Sequence, residues 1–240
     1  MNRRSRIIAV FILLSASTGW NQERPATEPA TAEVRKTLEQ AQGEIAAFRN
    51  AGGKAGADDH PARKWSAALW DYRQRNPGTD AAGLAAAEAI HLLVHAERFA
   101  EVESLAESLE ASDPGWERLP NFLLEAANLR KDYGYLLRKL DWLAQNSMSP
   151  KAQAAALFAR GRALRQQGDA AGAAAAFEKL RRDYPAAPQA QEAANLLYEM
   201  SNLGLGKAAP EVAARTRAGK AVTLAGFRGQ AVALIFWSST

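Results

Sequence analysis

The sequence predicts a mainly α protein, an α-solenoid of antiparallel helix pairs, with a C-terminal β piece of different character. Three observations point there. Residues 61–203 are dominated by alanine, leucine, glutamate and arginine, with short breaks carrying Pro, Gly, Asn or Asp. Phe99 and Tyr133 occupy equivalent places 34 residues apart, a period that marks stacked helix pairs. After Leu203 the pattern changes to Gly- and Pro-rich sequence followed by a continuous apolar run, Ala231 to Trp237, of strand length.

The chain has 240 residues, 48% of them hydrophobic and none of them cysteine. That length supports one or two domains with a substantial core, and the hydrophobic content excludes wholesale disorder. The lack of cysteine excludes a disulfide framework, a zinc ribbon and any thiol chemistry within these residues.

Residues 1–17 read as an export signal. Arg3, Arg4 and Arg6 precede an unbroken apolar run, Ile7 to Leu14, and Ser15-Ala16-Ser17 supplies small residues for cleavage before Thr18. An uncleaved anchor is the rival reading, although the run falls well short of the roughly 20 residues that span a bilayer. No cysteine follows for a lipid anchor. The mature chain is expected on the periplasmic side of a bacterial inner membrane, with no stable membrane span after signal removal. The formal charge is +4, and loss of the three N-terminal arginines leaves +1. A near-neutral chain has little long-range attraction for polyanions, so no nucleic-acid partner is expected. The basic clusters Arg160, Arg162, Arg165 and Lys179, Arg181, Arg182 read as solvated helix faces.

Residues 18–30 form a Pro-, Glu- and Thr-rich linker. Thr31 is the expected N-cap of a helix carrying Val34, Leu38, Ala41, Ile45 and Phe48, and Gly52-Gly53 ends it. Residues 31–60 are therefore a helix and a loop. Within 61–203, breaks are expected at Asn76-Pro77-Gly78, Ser112-Asp113-Pro114-Gly115, Asn146 to Pro150, Gly168-Asp169 and Tyr184-Pro185. The clearest repeat unit is Leu157, Gly161, Leu164, Gly168, Ala173, Phe177, Leu180 and Pro185. Gly161 and Ala173 are small where two helices cross, Gly168-Asp169 turns the chain, Phe177 and Leu180 fill the space between pairs, and Pro185 stops the second helix. Ile90, Leu93, Phe99, Val102, Ala106, Leu109 and Pro114 make a weaker copy. Leu124, Ala127, Tyr133, Leu136, Leu140 and Leu143 make another. Ile90 and Leu124 replace the small crossing residue in these copies. A partial unit (Ala68, Tyr72, Pro77) and a helix from Ala190 to Met200 flank the array. The units resemble the tetratricopeptide repeat, which implies a protein or peptide partner bound by the helical repeats.

Residues 204–240 carry four further features in order. They are Gly206-Lys207-Ala208-Ala209-Pro210, the turn and short strand Gly219-Lys220-Ala221-Val222-Thr223-Leu224, the step Phe227-Arg228-Gly229-Gln230, and the apolar strand ending at Phe236-Trp237. This order resembles the opening of the redoxin branch of the thioredoxin fold, which includes TlpA-like thiol–disulfide oxidoreductases and the alkyl hydroperoxide reductase/thiol-specific antioxidant group. Gln230 stands where that branch usually has lysine. The resemblance implies a nucleophilic Cys-x-x-Cys just after Phe236-Trp237-Ser238-Ser239-Thr240, at the N-terminus of a helix that lowers the thiol pKa. The expectation is an N-terminal fragment of an exported oxidoreductase, itself inactive, with a genuine early stop as the other account. A non-catalytic interaction module of the cell envelope, or an envelope assembly factor, is the competing function. Ala231 to Trp237, without a partner strand, is expected to be poorly ordered or to lie against the helical array.

No catalytic, cofactor-binding or metal residue is assigned from sequence, and no cofactor is expected. His91 and His95 share a helix face, a spacing that can bind metal if His60, Glu88 or a remote carboxylate supplies a third donor. No H-E-x-x-H pattern accompanies them, so surface or packing histidines are the ordinary reading. Trp65, Trp70, Trp116 and Trp142 are read as packing residues. Asp58-Asp59-His60-Pro61 reads as a loop and helix start, and Gly204-x-Gly206-Lys207 lacks the spacing of a phosphate loop.

Overall fold

The computed structural model describes residues 8–11, 29–203, 206–216 and 218–235. The chain divides into two units, Ala26–Met200 and a second formed by Met1–Pro25 with Ser201–Thr240. The described residues are mainly helical, with nine α-helices and two short two-stranded sheets.

The helical unit begins with α1 (Pro29–Asn50), α2 (Ala62–Arg75), α3 (Asp80–His95) and α4 (Phe99–Glu107). A 3₁₀ turn at Pro114–Glu117 leads into α5 (Leu119–Arg130), α6 (Gly134–Asn146), α7 (Pro150–Gln166), α8 (Ala170–Asp183) and α9 (Pro188–Asn202). The five expected breaks all fall between helices. Thr79, Ser149 and Asp169 cap α3, α7 and α8, each accepting a backbone N–H of the first turn through its side-chain oxygen. α1 starts at Pro29, two residues before the expected cap Thr31, since proline's fixed φ suits a first turn. Residues 29 and 30 are thus helix rather than linker.

Three apolar clusters fill this unit. One joins Val34 and Ala41 of α1 to Leu69 and Tyr72 of α2 and Ala81, Ala85, Ala89 and Leu92 of α3. Tyr72 is buried as expected, but Ala68 is exposed, and the buried stripe of α2 runs through Ala62, Ser66, Leu69 and Tyr72. The second cluster unites both weaker copies: Ile90, Leu93, Val102, Ala106, Leu109, Leu124, Ala127, Leu136, Leu140 and Leu143 are all buried in it, with Trp116 at its heart. The third holds Leu157, Phe158, Ala173, Phe177, Leu180 and Ala193.

Gly161 shows why the clearest unit needs a small residue. A Cβ there would lie 2.4 Å from the buried ring of Phe177, so α7 and α8 meet with the ring against bare backbone. A second close approach occurs at Gly83, where a Cβ would sit 2.6 Å from Pro114 and 2.7 Å from the Gly115 nitrogen. α3 therefore packs directly on the 3₁₀ turn. Arg73 ties α2 to the same turn through Asp113 (2.9 Å), whose other oxygen accepts the Gly115 N–H at 2.8 Å.

In the other unit, β1 (Ile8–Phe11) pairs in parallel with β4 (Val232–Ile235), Ile8 opposite Val232 and Phe11 opposite Ile235. β2 (Ala213–Arg215) and β3 (Ala221–Thr223) form an antiparallel hairpin. Its turn is closed by Gly219 at φ +80° and by a Thr216 Oγ1 contact that accepts the Lys220 N–H. A 3₁₀ turn at Leu224–Phe227 and Gly229 at φ +81° then lead to β4. Two details differ from the sequence reading. β3 ends at Thr223 because Leu224 opens the 3₁₀ turn, and β2 was not expected as a strand. The strand expected to lack a partner takes one, the apolar run of the expected export signal. Residues 1–7, 12–28, 204–205, 217 and 236–240 lie outside the described residues.

Candidate functional site

α3 is buried on most of its circumference, with alanines facing α1 and α2 and Ile90, Leu93 and Val94 facing the second cluster. The strip left over carries Glu88, His91 and His95, spaced by three and four residues and so aligned on one face. α5 packs against α3 and presents Phe122 and Glu125, three residues apart, to that strip.

The Phe122 ring stacks on His91 at 3.8 Å between centroids, with only 6° between planes. His91 Nε2 lies 3.3 Å from Glu125 Oε2, and His95 Nδ1 lies 3.6 Å from Glu125 Oε1. On its other side, His91 Nδ1 lies 3.5 Å from Glu88 Oε2. The two imidazoles are 4.4 Å apart. One donor atom from each of His91, His95 and Glu125 falls within 4.8 Å of the others, the single such cluster among the described residues. His91 is partly buried, and the His95 side chain is 55% exposed. Burial is the main influence holding the His95 pKa below the usual histidine value. His91 and Arg49 act in the same direction, while Glu125 and Glu88 oppose them. The neutral, lone-pair-bearing imidazole is favoured there.

Of the three donors considered from sequence, the remote carboxylate completes the group, and it is Glu125. Glu88 faces the far nitrogen of His91. His60 belongs elsewhere: it is buried before α2, its Nδ1 accepts the Ala62 N–H at 3.1 Å, and its ring meets Phe48 edge-on. Glu125 carries no local motif, and only the packing of α5 on α3 reveals it. The Phe122/Glu125 spacing on one helix face was the available trace.

The tryptophans pack. Trp116 is fully buried and tilts against Trp142 at 5.7 Å. Lys139, with a side chain only 5% exposed, lies 4.0 Å from the Trp142 ring and 3.0 Å from Glu107. Hydrogen bonds from Lys139 and Tyr135 keep the Glu107 pKa low although burial, the largest single influence, pushes it up. Trp65 donates its indole N–H to Glu44, and Trp70 lies under Arg73. Arg160, Arg165, Lys179 and Arg182 each pair with a carboxylate of this chain: Asp141, Glu199 and, for the last two, Asp183.

Comparisons with protein-family models, with curated proteins and with solved structures give no match. Functional inference therefore rests on the residues themselves.

Proposed function

We propose that this chain is the N-terminal part of an exported thiol–disulfide oxidoreductase, a tetratricopeptide-like α-solenoid followed by the opening of a thioredoxin-like redoxin domain. The observation that carries this reading is the order of elements after Lys207. A glycine-closed turn and short strand, a 3₁₀ step through Phe227 and Gly229, and the apolar strand β4 succeed one another as in the redoxin opening. The repeat reading is supported by Gly161 lying bare against Phe177, and by the two weaker copies sharing one core at equivalent positions.

Residues 1–17 direct the chain out of the cytoplasm to the periplasm. No helix among the described residues is long and apolar enough to cross a membrane. The repeats hold a protein or peptide partner. Pro150 and Lys151 at the start of α7, together with Tyr184, Pro185 and Pro188 between α8 and α9, border an open cleft of about 590 Å³. That cleft also favours the second reading, a non-catalytic interaction module of the cell envelope.

The two readings separate in a reductase assay. The chain is extended by the coding sequence that follows Thr240 and tested for disulfide reduction with a thiol reductant as electron source. The oxidoreductase reading predicts turnover that is lost when the first added cysteine becomes serine. Inactivity of the extended chain, together with partner capture by residues 18–203, supports the interaction module.

A further inference from the structure

We propose that His91, His95 and Glu125 form a binding site for one divalent transition-metal ion of the zinc class, with Glu88 orienting His91. This site is independent of the redox reading, since it lies between α3 and α5.

Spacing is the first argument. Four-coordinate zinc with nitrogen and oxygen ligands at about 2.0–2.1 Å has neighbouring ligand atoms about 3.3 Å apart. The two His–Glu125 separations are 3.3 and 3.6 Å. Ordinary hydrogen bonds from a ring nitrogen to a carboxylate are shorter, about 2.7–3.2 Å. The group is therefore held wider than a hydrogen-bonded network: each histidine faces its own oxygen of Glu125, and one donor atom from each of the three residues lies within 4.8 Å of the others, so small side-chain movements bring them onto one ion.

The second argument is the surroundings of His91. Its Nε2 faces Glu125 while its Nδ1 lies 3.5 Å from Glu88 Oε2, so Glu88 is placed to take the ring's second nitrogen in the carboxylate–histidine relation of metal centres once an ion holds the first. The Phe122 ring, stacked on the imidazole, resists rotation of the ligand. His91 is thus held by the Phe122 ring and flanked by two carboxylates before any ion arrives.

The donor set decides the class. Two imidazoles and one carboxylate suit zinc, nickel, copper or cobalt and are poor for calcium and magnesium, which take oxygen ligands. Three protein donors leave a fourth position for water, and the exposure of His95 gives the ion a path in. Bound metal would clamp α5 to α3.

The test is zinc titration of the untagged full chain by calorimetry, with cobalt(II) absorption as a second probe. One equivalent is expected, with the intense visible bands of four-coordinate cobalt. His95→Gln and Glu125→Gln each weaken binding at least 10-fold, and Glu88→Gln weakens it about 10-fold. His60→Gln, remote from the cluster, leaves it unchanged. Zinc raises the melting temperature of the wild type and not of His95→Gln, whose half-exposed side chain is dispensable for packing. Absence of stoichiometric binding, or full affinity in both His95→Gln and Glu125→Gln, overturns the proposal.

Discussion

Single residues set the closest contacts of this molecule. At Gly161 and Gly83 an added methyl group would meet Phe177 and the Pro114–Gly115 backbone respectively. Alanine at either position should destabilise the helical unit by about 1–3 kcal/mol, as overpacking does. Gly83→Ala is expected to be the worse of the two, because a backbone neighbour yields less than a ring. Denaturant midpoints of the two variants, at unchanged helical signal, check this. His60 carries a different kind of prediction. Burial is the main cause of its lowered pKa; Arg49 adds to that effect and Asp59 opposes it. Its neutral Nδ1 accepts the Ala62 N–H, and protonation removes that acceptor. Above the unfolded value of about 6.5 the group is neutral in both states and its full contribution is present. As pH falls from there towards the lower folded pKa, the unfolded chain takes up the proton first and stability drops. Urea midpoints between pH 7.5 and 5 should fall more steeply in wild type than in His60→Gln, and parallel curves would sink the assignment.

Elements were legible in the sequence wherever a turn used glycine, proline or a capping side chain. Two turns escaped notice because they use neither Gly nor Pro. Glu97 and Lys131 adopt φ +54° and +58° between α3 and α4 and between α5 and α6. Each lets a following N–H reach back across the helix end, Arg98 to Leu93 O and Asp132 to Ala127 O. Lys131→Gly relieves a left-handed strain of about 1 kcal/mol and should leave stability equal or higher. Asp113 is the opposite case. It serves α2 through Arg73 and the 3₁₀ turn through Gly115, with a side chain only 8% exposed. Asp113→Ala should cost about 3 kcal/mol in a chemical-denaturation experiment, because it strands a partly buried guanidinium. In α2, Tyr72 of the partial unit is buried while Ala68 is exposed, because alanine is equally at home on an exposed helix face. β4 was recognised as a strand from its apolar run, but its ladder partner was not, since parallel pairing joins residues over 220 positions apart. In a chain lacking residues 1–17 that partner is gone. Amide exchange at Val232–Ile235 should then be far faster than in α3 or α7; equal protection would show that the strand has another support.

At the scale of the whole molecule, the change from helical periodicity to Gly- and Pro-rich sequence after Leu203 is visible in the sequence, and the helical unit runs to Met200. The candidate metal centre was half legible. The i, i+4 histidines stood out, whereas Glu125 became a candidate only through the packing of α5 on α3, a contact that no local pattern encodes. The redox reading belongs to this scale too: residues 204–240 carry the resemblance but hold no thiol. Its most direct test is the coding sequence beyond the codon for Thr240. A cysteine within the next few codons, followed after two intervening residues by a second, is the predicted result. A stop codon, or a continuation without any thiol, contradicts it and leaves the non-catalytic interaction module as the reading to test.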